Sequence, residues 1–140
     1  IFLEASMRKL LAMGVLLLVP NSAFATFDPF RTWVVTMTPK FHSCEGGWSG
    51  KNVLVWNING RGAGVDVDVG GNTQYKQLSG DYDLKKSIDV FGTGNIPQLV
   101  IRFKLTAKSD TAMSGFALNT WADGKRFCST YWTVAAKRQD

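Results

Sequence analysis

Cysteine and histidine are scarce in this chain of 140 residues, which contains two cysteines and one histidine. A structural zinc site usually takes four cysteine or histidine ligands, and a serine or cysteine nucleophile needs a neighbouring base. His42, Ser43 and Cys44 are consecutive, and adjacent residues rarely orient a nucleophile and its base. We therefore expect no metal, no cofactor and no catalysis by this triple.

The chain also lacks a strong excess of one charge. Its net charge is +5, and Arg102, Lys104 and Lys108 form a basic strand face close to Lys125 and Arg126. No basic and aromatic signature of a nucleic-acid-binding module accompanies them, so nucleic acid is not an expected partner. Hydrophobic residues make up 45% of the chain and aromatic residues 12%, which excludes disordered and low-complexity classes.

The first 25 residues have the three parts of a secretory signal peptide. Met7–Lys9 is a basic start, Leu10–Val19 is an apolar run, and Ala23–Ala25 is an A-x-A exit. The apolar run is too short for a permanent transmembrane anchor. We predict cleavage after Ala25, treat residues 1–6 as an upstream extension, and expect one domain over residues 26–140.

Export places the two cysteines in an oxidising compartment, either the periplasm or the extracellular space. A lone pair of cysteines in a small exported domain is most simply one disulfide. We therefore predict a bridge between Cys44 and Cys128, which are 84 positions apart.

Beyond the signal peptide the hydrophobic pattern has a period of two and no convincing helical period. In Leu99–Lys108, apolar residues alternate with mostly cationic ones, as in a strand with one buried face. The pattern predicts eight strands over Trp33–Met37, Val53–Ile58, Val65–Val69, Leu78–Leu84, Ser87–Phe91, Leu99–Lys108, Phe116–Trp121 and Phe127–Ala135.

Turn residues separate these runs, and Asp123-Gly124 is the strongest hairpin candidate. The spacing predicts an all-β, antiparallel up-and-down meander. The predicted bridge joins the beginning and the end of the domain, which favours a closed or nearly closed β-barrel of about eight strands over a β-sandwich. Apolar-Ser-Gly steps, such as those ending at Gly80 and Gly115, are expected at bulges or barrel corners.

Within this outline, Gly46-Gly47-Trp48 resembles the G-x-W of the first barrel strand in the calycin group, which includes lipocalins and avidins. The chain also resembles small exported bacterial proteins that run from an early cysteine to a late C-x-x-x-W, here Cys128 to Trp132. The resemblance implies a barrel in which a basic residue near the C-terminus, Lys137 or Arg138, packs on Trp48. No ligand-contacting residue of lipocalins or avidins matches a position here, so their ligands are not implied.

The aromatic residues supply the candidate binding site. Tryptophan and tyrosine combine an apolar body with a polar tip, so a barrel mouth lined with them can hold a small ligand. Ordinary packing of the barrel interior is the alternative. The predicted ligand-binding residues are Trp56, Trp121, Asn57, Asn119 and Tyr82, because the asparagines beside the two tryptophans can supply polar contacts near a mouth.

These observations favour an exported, non-enzymatic protein that binds a small ligand in the barrel or a partner at its rim. A packed barrel that acts through its loops on an envelope component or a protease is the first alternative. The second is a small hydrolase that uses Asp66 and Asp68, which share one strand face about 7 Å apart. That hydrolase would need both carboxylates inside a pocket.

Overall fold

The computed structural model describes residues 27–44, 50–71, 75–83, 86–94 and 98–140. The predicted signal peptide, its cleavage site and the Gly46–Trp48 motif lie outside them. Within the described residues no helix is long and apolar enough to span a membrane. The strands are β1 (Thr32–His42), β2 (Asn52–Arg61), β3 (Gly64–Gly70), β4 (Gln77–Asp83), β5 (Ser87–Thr93), β6 (Leu99–Ser109), β7 (Ala112–Ala122) and β8 (Phe127–Gln139).

Every strand pairs with the next one along the chain, and β1 also pairs with β8, so the sheet closes into a barrel. All of these pairings are antiparallel. Closure leaves no edge strand with unpaired backbone groups. The predicted eight-stranded meander barrel is therefore confirmed, and the sandwich alternative is not.

Side-chain alternation sorts the residues between the barrel interior and its outer wall. In β6, Leu99, Ile101, Phe103 and Leu105 are buried, while the residues between them are exposed. The interior is mostly aliphatic and aromatic, and its largest fully buried side chains include Trp33, Trp56, Trp132, Tyr75 and Phe103. Burial of this apolar surface provides the main driving force for the fold.

Two of the Ser-Gly steps have no room for a side chain on their glycine. A Cβ atom at Gly80 would overlap the backbone carbonyl of Asp89, and one at Gly115 would overlap that of Lys104. Glycine is therefore needed at both positions because a side chain has no room there. The register runs through both glycines without a shift, so the expected bulge does not occur at either.

Several strands are longer than the sequence predicts, among them β1, β7 and β8, and β8 runs to Gln139 rather than to Ala135. β1 continues past Met37 to His42, with a register shift between Pro39 and Phe41 that accommodates the proline. β7 begins at Ala112 rather than at Phe116, because the β6–β7 hairpin turns at Asp110 and Thr111. This turn contains neither glycine nor proline, so the sequence carries no signal for its position.

The two ends of the barrel are built differently. At one end a Cys44–Cys128 disulfide ties the end of β1 to the start of β8, which confirms the predicted bridge; we call this the bridged end. At the opposite end, Trp33 Nε1 donates a hydrogen bond to the Pro29 carbonyl over 2.9 Å. The Phe27 ring packs 5.9 Å from the Trp33 ring, so the segment before β1 covers that end.

Candidate functional site

Three polar side chains lie inside the barrel near the bridged end. Asn119 of β7 and Thr130 of β8 are register partners, so they face the same interior. Tyr75, just before β4, joins them. The exposed fractions are 1% for Tyr75, 3% for Asn119 and 0% for Thr130, which makes the cluster part of the core.

Tyr75 and Asn119 are linked by a hydrogen bond from the Asn119 amide nitrogen to the Tyr75 hydroxyl oxygen. Burial raises the pKa of Tyr75 above its ordinary range, while the contact with Asn119 opposes this shift. The phenol therefore stays protonated at physiological pH. Its oxygen accepts from Asn119, and its own proton is available to a further acceptor.

Two oxygen atoms of the cluster have no hydrogen-bond partner within the part of the chain that the structure describes. They are Asn119 Oδ1, an acceptor, and Thr130 Oγ1, which can both donate and accept. The indole nitrogen of Trp56, a buried donor, also has no hydrogen-bond partner among the described residues. A buried polar group left unpaired costs about 1–3 kcal/mol, so such groups in a native core call for a partner.

The electrostatic character of the site is neutral. Among the buried residues of the described chain, Asn119 and Thr130 are polar and none is charged. The buried phenol of Tyr75 is the third polar group of the cluster. No buried carboxylate, ammonium or guanidinium group faces them within that set. A charged ligand would therefore have to leave water without a counterion, which is costly.

Trp121 lies at the rim of this cluster. It is the register partner of Cys128 and of Leu99, and it packs against the core while remaining partly exposed. The Arg126 guanidinium sits 5.4 Å from its ring centre. Asp123 fixes that turn by accepting hydrogen bonds from the backbone amides of Lys125 and Arg126 and from the Arg126 side chain.

The structure separates the predicted residues of β2. Trp56 is fully buried and meets Phe103 edge to face, with ring centres 4.7 Å apart. Asn57 lies on the outer wall, where it accepts a hydrogen bond from Thr32 over 2.7 Å. Successive residues of a strand point to opposite faces, so Asn57 does not share the interior with Trp56.

Tyr82 lies far from the other predicted residues. It is near the end of β4 at the opposite end of the barrel, where its ring centre is 5.5 Å from that of Phe30. Only Trp121 and Asn119, of the predicted set, therefore lie together near the bridged end. Tyr75 and Thr130 were missed, although strict alternation from Cys128 to Trp132 would have placed Thr130 inside.

The carboxylate pair of the hydrolase alternative faces the outside. Asp66 and Asp68 are on the outer wall of β3, opposite its buried valines. Asp66 pairs with Arg61 over 3.5 Å, and Asp68 accepts a long hydrogen bond from Asn59. Alternation with the valines turns both carboxylates to solvent rather than into the pocket that this alternative requires. No potential metal-binding cluster of three or more His, Cys, Asp or Glu side chains occurs among the described residues.

The basic face of β6 is partly neutralised by β5. Arg102 forms a two-point contact with Asp89, with distances of 2.8 and 2.6 Å, and Lys104 Nζ lies 3.8 Å from the same carboxylate. These contacts reduce the positive charge that a polyanion would meet.

The first barrel strand carries a different tryptophan from the one expected. The strand is β1, and it holds Trp33, whereas Trp48 follows its end. Trp33 is the register partner of Arg138 near the end of β8. The calycin resemblance implied that a basic C-terminal residue packs on the first-strand tryptophan, and this packing stays a prediction. G-x-W pointed to Trp48 because no glycine stands two residues before Trp33.

Comparison with known proteins supports the fold. No protein-family model and no curated protein matches the chain. The chain is similar to the structure of EF1p2_mFAP2b bound to DFHBI, with a TM-score of 0.56 and 14% identity over 78% of this chain and 92% of that one. A redesigned beta barrel, b11L5F_LGL, is similar with a TM-score of 0.49 and 21% identity over 79% of this chain and 90% of that one. At 14% identity, the likeness to EF1p2_mFAP2b shows the fold alone.

Proposed function

We propose that this protein is an exported, non-enzymatic binding protein that holds a small neutral ligand inside the bridged end of its barrel. The observation that carries the proposal is the pair of buried oxygens on Asn119 and Thr130, which lack partners among the described residues. A ligand with a hydrogen-bond donor would satisfy Asn119 Oδ1. Its acceptor would receive the proton of Tyr75 or Thr130.

Several further features support this assignment. The barrel of EF1p2_mFAP2b was solved with the small molecule DFHBI bound, so this architecture is compatible with a ligand site. Trp121 at the rim offers an aromatic surface to the apolar part of a ligand. The disulfide and the predicted signal peptide support export to the periplasm or the extracellular space.

The non-enzymatic part of the proposal is supported by the chemistry of the cluster. Its titratable side chain is Tyr75, whose pKa is raised by burial, so it holds its proton across the physiological range. General acid–base catalysis requires a group whose pKa lies near the working pH. The cluster is therefore suited to recognition rather than to proton transfer.

Native mass spectrometry of the oxidised protein, purified gently from its own host, tests the proposal. We expect extra mass that is lost on denaturation. We expect Asn119→Leu to lose that mass. Asn57→Leu is the control and should keep the mass, because it makes the same change on the outer wall of the barrel. Wild-type protein without extra mass would overturn the proposed function. Extra mass that Asn119→Leu retains would overturn the proposed site.

A packed barrel that acts through its outer surface is the second candidate. It is favoured by the close packing of the interior, where Trp33 and Trp56 are 0% exposed and Trp132 is 1% exposed. The mass measurement separates the candidates, since a packed barrel carries no ligand.

A further inference from the structure

A cavity of about 510 Å³ opens on the outer wall of the barrel, where β5, β6 and β7 lie side by side. Three of the side chains that line it carry hydroxyl groups, namely those of Ser87, Thr106 and Ser114. They form one row across the sheet, because Thr106 is the register partner of Ser87 on β5 and of Ser114 on β7. The cavity therefore brings together polar groups from three strands.

The hydroxyl groups of this row have no hydrogen-bond partner in the described part of the chain. Ser87 and Ser114 are half-buried, and Thr106 is exposed at the centre of the row. A hydroxyl group can donate one hydrogen bond and accept two. The row can thus supply three hydrogen-bond donors to a molecule in the cavity.

Two lysines flank the row on the same face of β6. Lys104, Thr106 and Lys108 alternate with residues that face the barrel interior, so all three point outward. Each lysine is two residues from Thr106, about 6.6 Å along the strand, a span that a lysine side chain covers. Both lysines line the cavity, and Lys108 forms no ion pair with any described residue. Their ammonium groups can therefore converge on the central hydroxyl group.

One carboxylate also lines the cavity, and it is already engaged. Asp89 accepts hydrogen bonds from Arg102 at 2.8 and 2.6 Å, while Lys104 Nζ lies 3.8 Å from it. Arg102, which does not line the cavity, thus balances most of that negative charge. Asp83, the register partner of Ser87, is not among the lining residues either. The cavity is left with an excess of positive charge and of hydrogen-bond donors.

These properties suit a tetrahedral oxyanion, whose oxygen atoms accept hydrogen bonds and carry negative charge. We propose that this cavity binds a phosphate group, which belongs either to a soluble compound or to the headgroup of an anionic lipid. Thr106 is at the centre of the site, and Lys104 and Lys108 supply its charge. The site lies on the outer face of the sheet, so it is independent of the ligand proposed for the barrel interior.

Titration of the purified, oxidised protein with inorganic phosphate, followed by NMR of the backbone amides, tests the site. We expect saturable shifts around Thr106 and Ser114. Lys108→Gln should raise the dissociation constant by about threefold or more, because it removes one positive charge from the cavity. Lys125→Gln is the matched control, since this exposed lysine lies in the β7–β8 turn, and it should bind phosphate like the wild type.

Thr106→Val distinguishes a built site from diffuse attraction to positive charge. It keeps the net charge and removes the central hydroxyl group, so phosphate should bind more weakly with an unchanged dependence on salt. Circular dichroism checks that each variant is folded. A wild type without saturable shifts overturns the proposal. Equal weakening by Lys108→Gln and Lys125→Gln also overturns it, as does a Thr106→Val variant that binds like the wild type.

Co-sedimentation with vesicles distinguishes the two sources of phosphate. Vesicles of phosphatidylcholine and phosphatidylglycerol present anionic headgroups, and vesicles of phosphatidylcholine alone are the control. If the anionic vesicles carry down the wild type but not Lys108→Gln, the site binds a lipid headgroup. If inorganic phosphate binds but the vesicles carry down neither protein, or both equally, the site binds a soluble phosphate compound.

Discussion

Asn119 and Thr130 face each other across β7 and β8 inside the barrel, and each has a buried side-chain oxygen without a partner in the described part of the chain. Asn119 uses its amide nitrogen to contact Tyr75, which leaves its oxygen to a further donor. Hydrophobic side chains at both positions would avoid the desolvation cost. These two oxygens are the observation on which the proposed ligand site rests.

Thr130→Val should stabilise the ligand-free protein. Valine has nearly the shape of threonine and removes the buried hydroxyl, so we expect the free energy of unfolding to rise by about 1 kcal/mol. Urea denaturation of the ligand-free protein measures this change. Thr106→Val on the exposed face of β6 is the control and should change stability little. A loss of stability in Thr130→Val would show that the hydroxyl already has a partner.

Gly115→Ala should destabilise the barrel. The added Cβ atom would overlap the Lys104 carbonyl, so β6 and β7 would have to separate at this position. Overpacking of this kind costs about 1–3 kcal/mol. Gly50→Ala is the matched control, because a Cβ atom there meets nothing within 4 Å. Thermal denaturation compares the two variants, and equal melting temperatures would contradict the requirement for glycine at position 115.

The sequence was sufficient to predict the barrel because its determinants are local and repeated. Alternation in runs such as Leu99–Lys108 marks one buried face, and glycine-containing turns such as Asp123-Gly124 mark the reversals. The cysteine positions added the one long-range constraint needed for closure. The reversal between β6 and β7 was predicted but its position at Asp110 and Thr111 was not, because this turn uses no glycine or proline.

The candidate site was only partly predictable, because a site depends on register between distant strands. Asn119 was included for its proximity to Trp121 in sequence, and Asn57 for its proximity to Trp56. The same alternation that identified the strands places the Asn57 side chain on the outer face of the barrel. Tyr75 joins Asn119 across 44 positions of sequence through a contact that no local pattern encodes.

Removal of the disulfide should weaken the whole fold. The Cys44–Cys128 bridge closes a loop with a sequence separation of 84, so on the chain-entropy model the double variant Cys44→Ala/Cys128→Ala should lose about 4–5 kcal/mol of unfolding free energy. Urea denaturation of the oxidised wild type, the reduced wild type and the variant measures the loss. The reduced wild type and the double variant should have the same free energy of unfolding. If that free energy equals the value of the oxidised wild type, the bridge does not constrain the unfolded chain.

The ion pair between Asp89 and Arg102 should make stability depend on pH in the acidic range. The hydrogen bonds from Arg102 lower the pKa of Asp89 below its ordinary value of 3.8, with smaller help from the charges of Arg102 and Lys104. As pH falls, the unfolded chain therefore takes up a proton at this position before the folded protein does. The contribution to stability is present above about pH 4 and disappears as pH falls through the lowered pKa.

Asp89→Asn tests this dependence, because it keeps the shape of the side chain and removes its charge. We expect the wild type to be more stable than the variant at neutral pH and the difference to shrink as pH falls below about 4. Denaturation at each pH gives the difference, and added salt should reduce it, because both side chains are partly exposed. Asp110→Asn, in the β6–β7 turn, serves as the control for loss of one negative charge. A difference between wild type and Asp89→Asn that stays constant across this range would mean that Arg102 does not stabilise the ionised carboxylate.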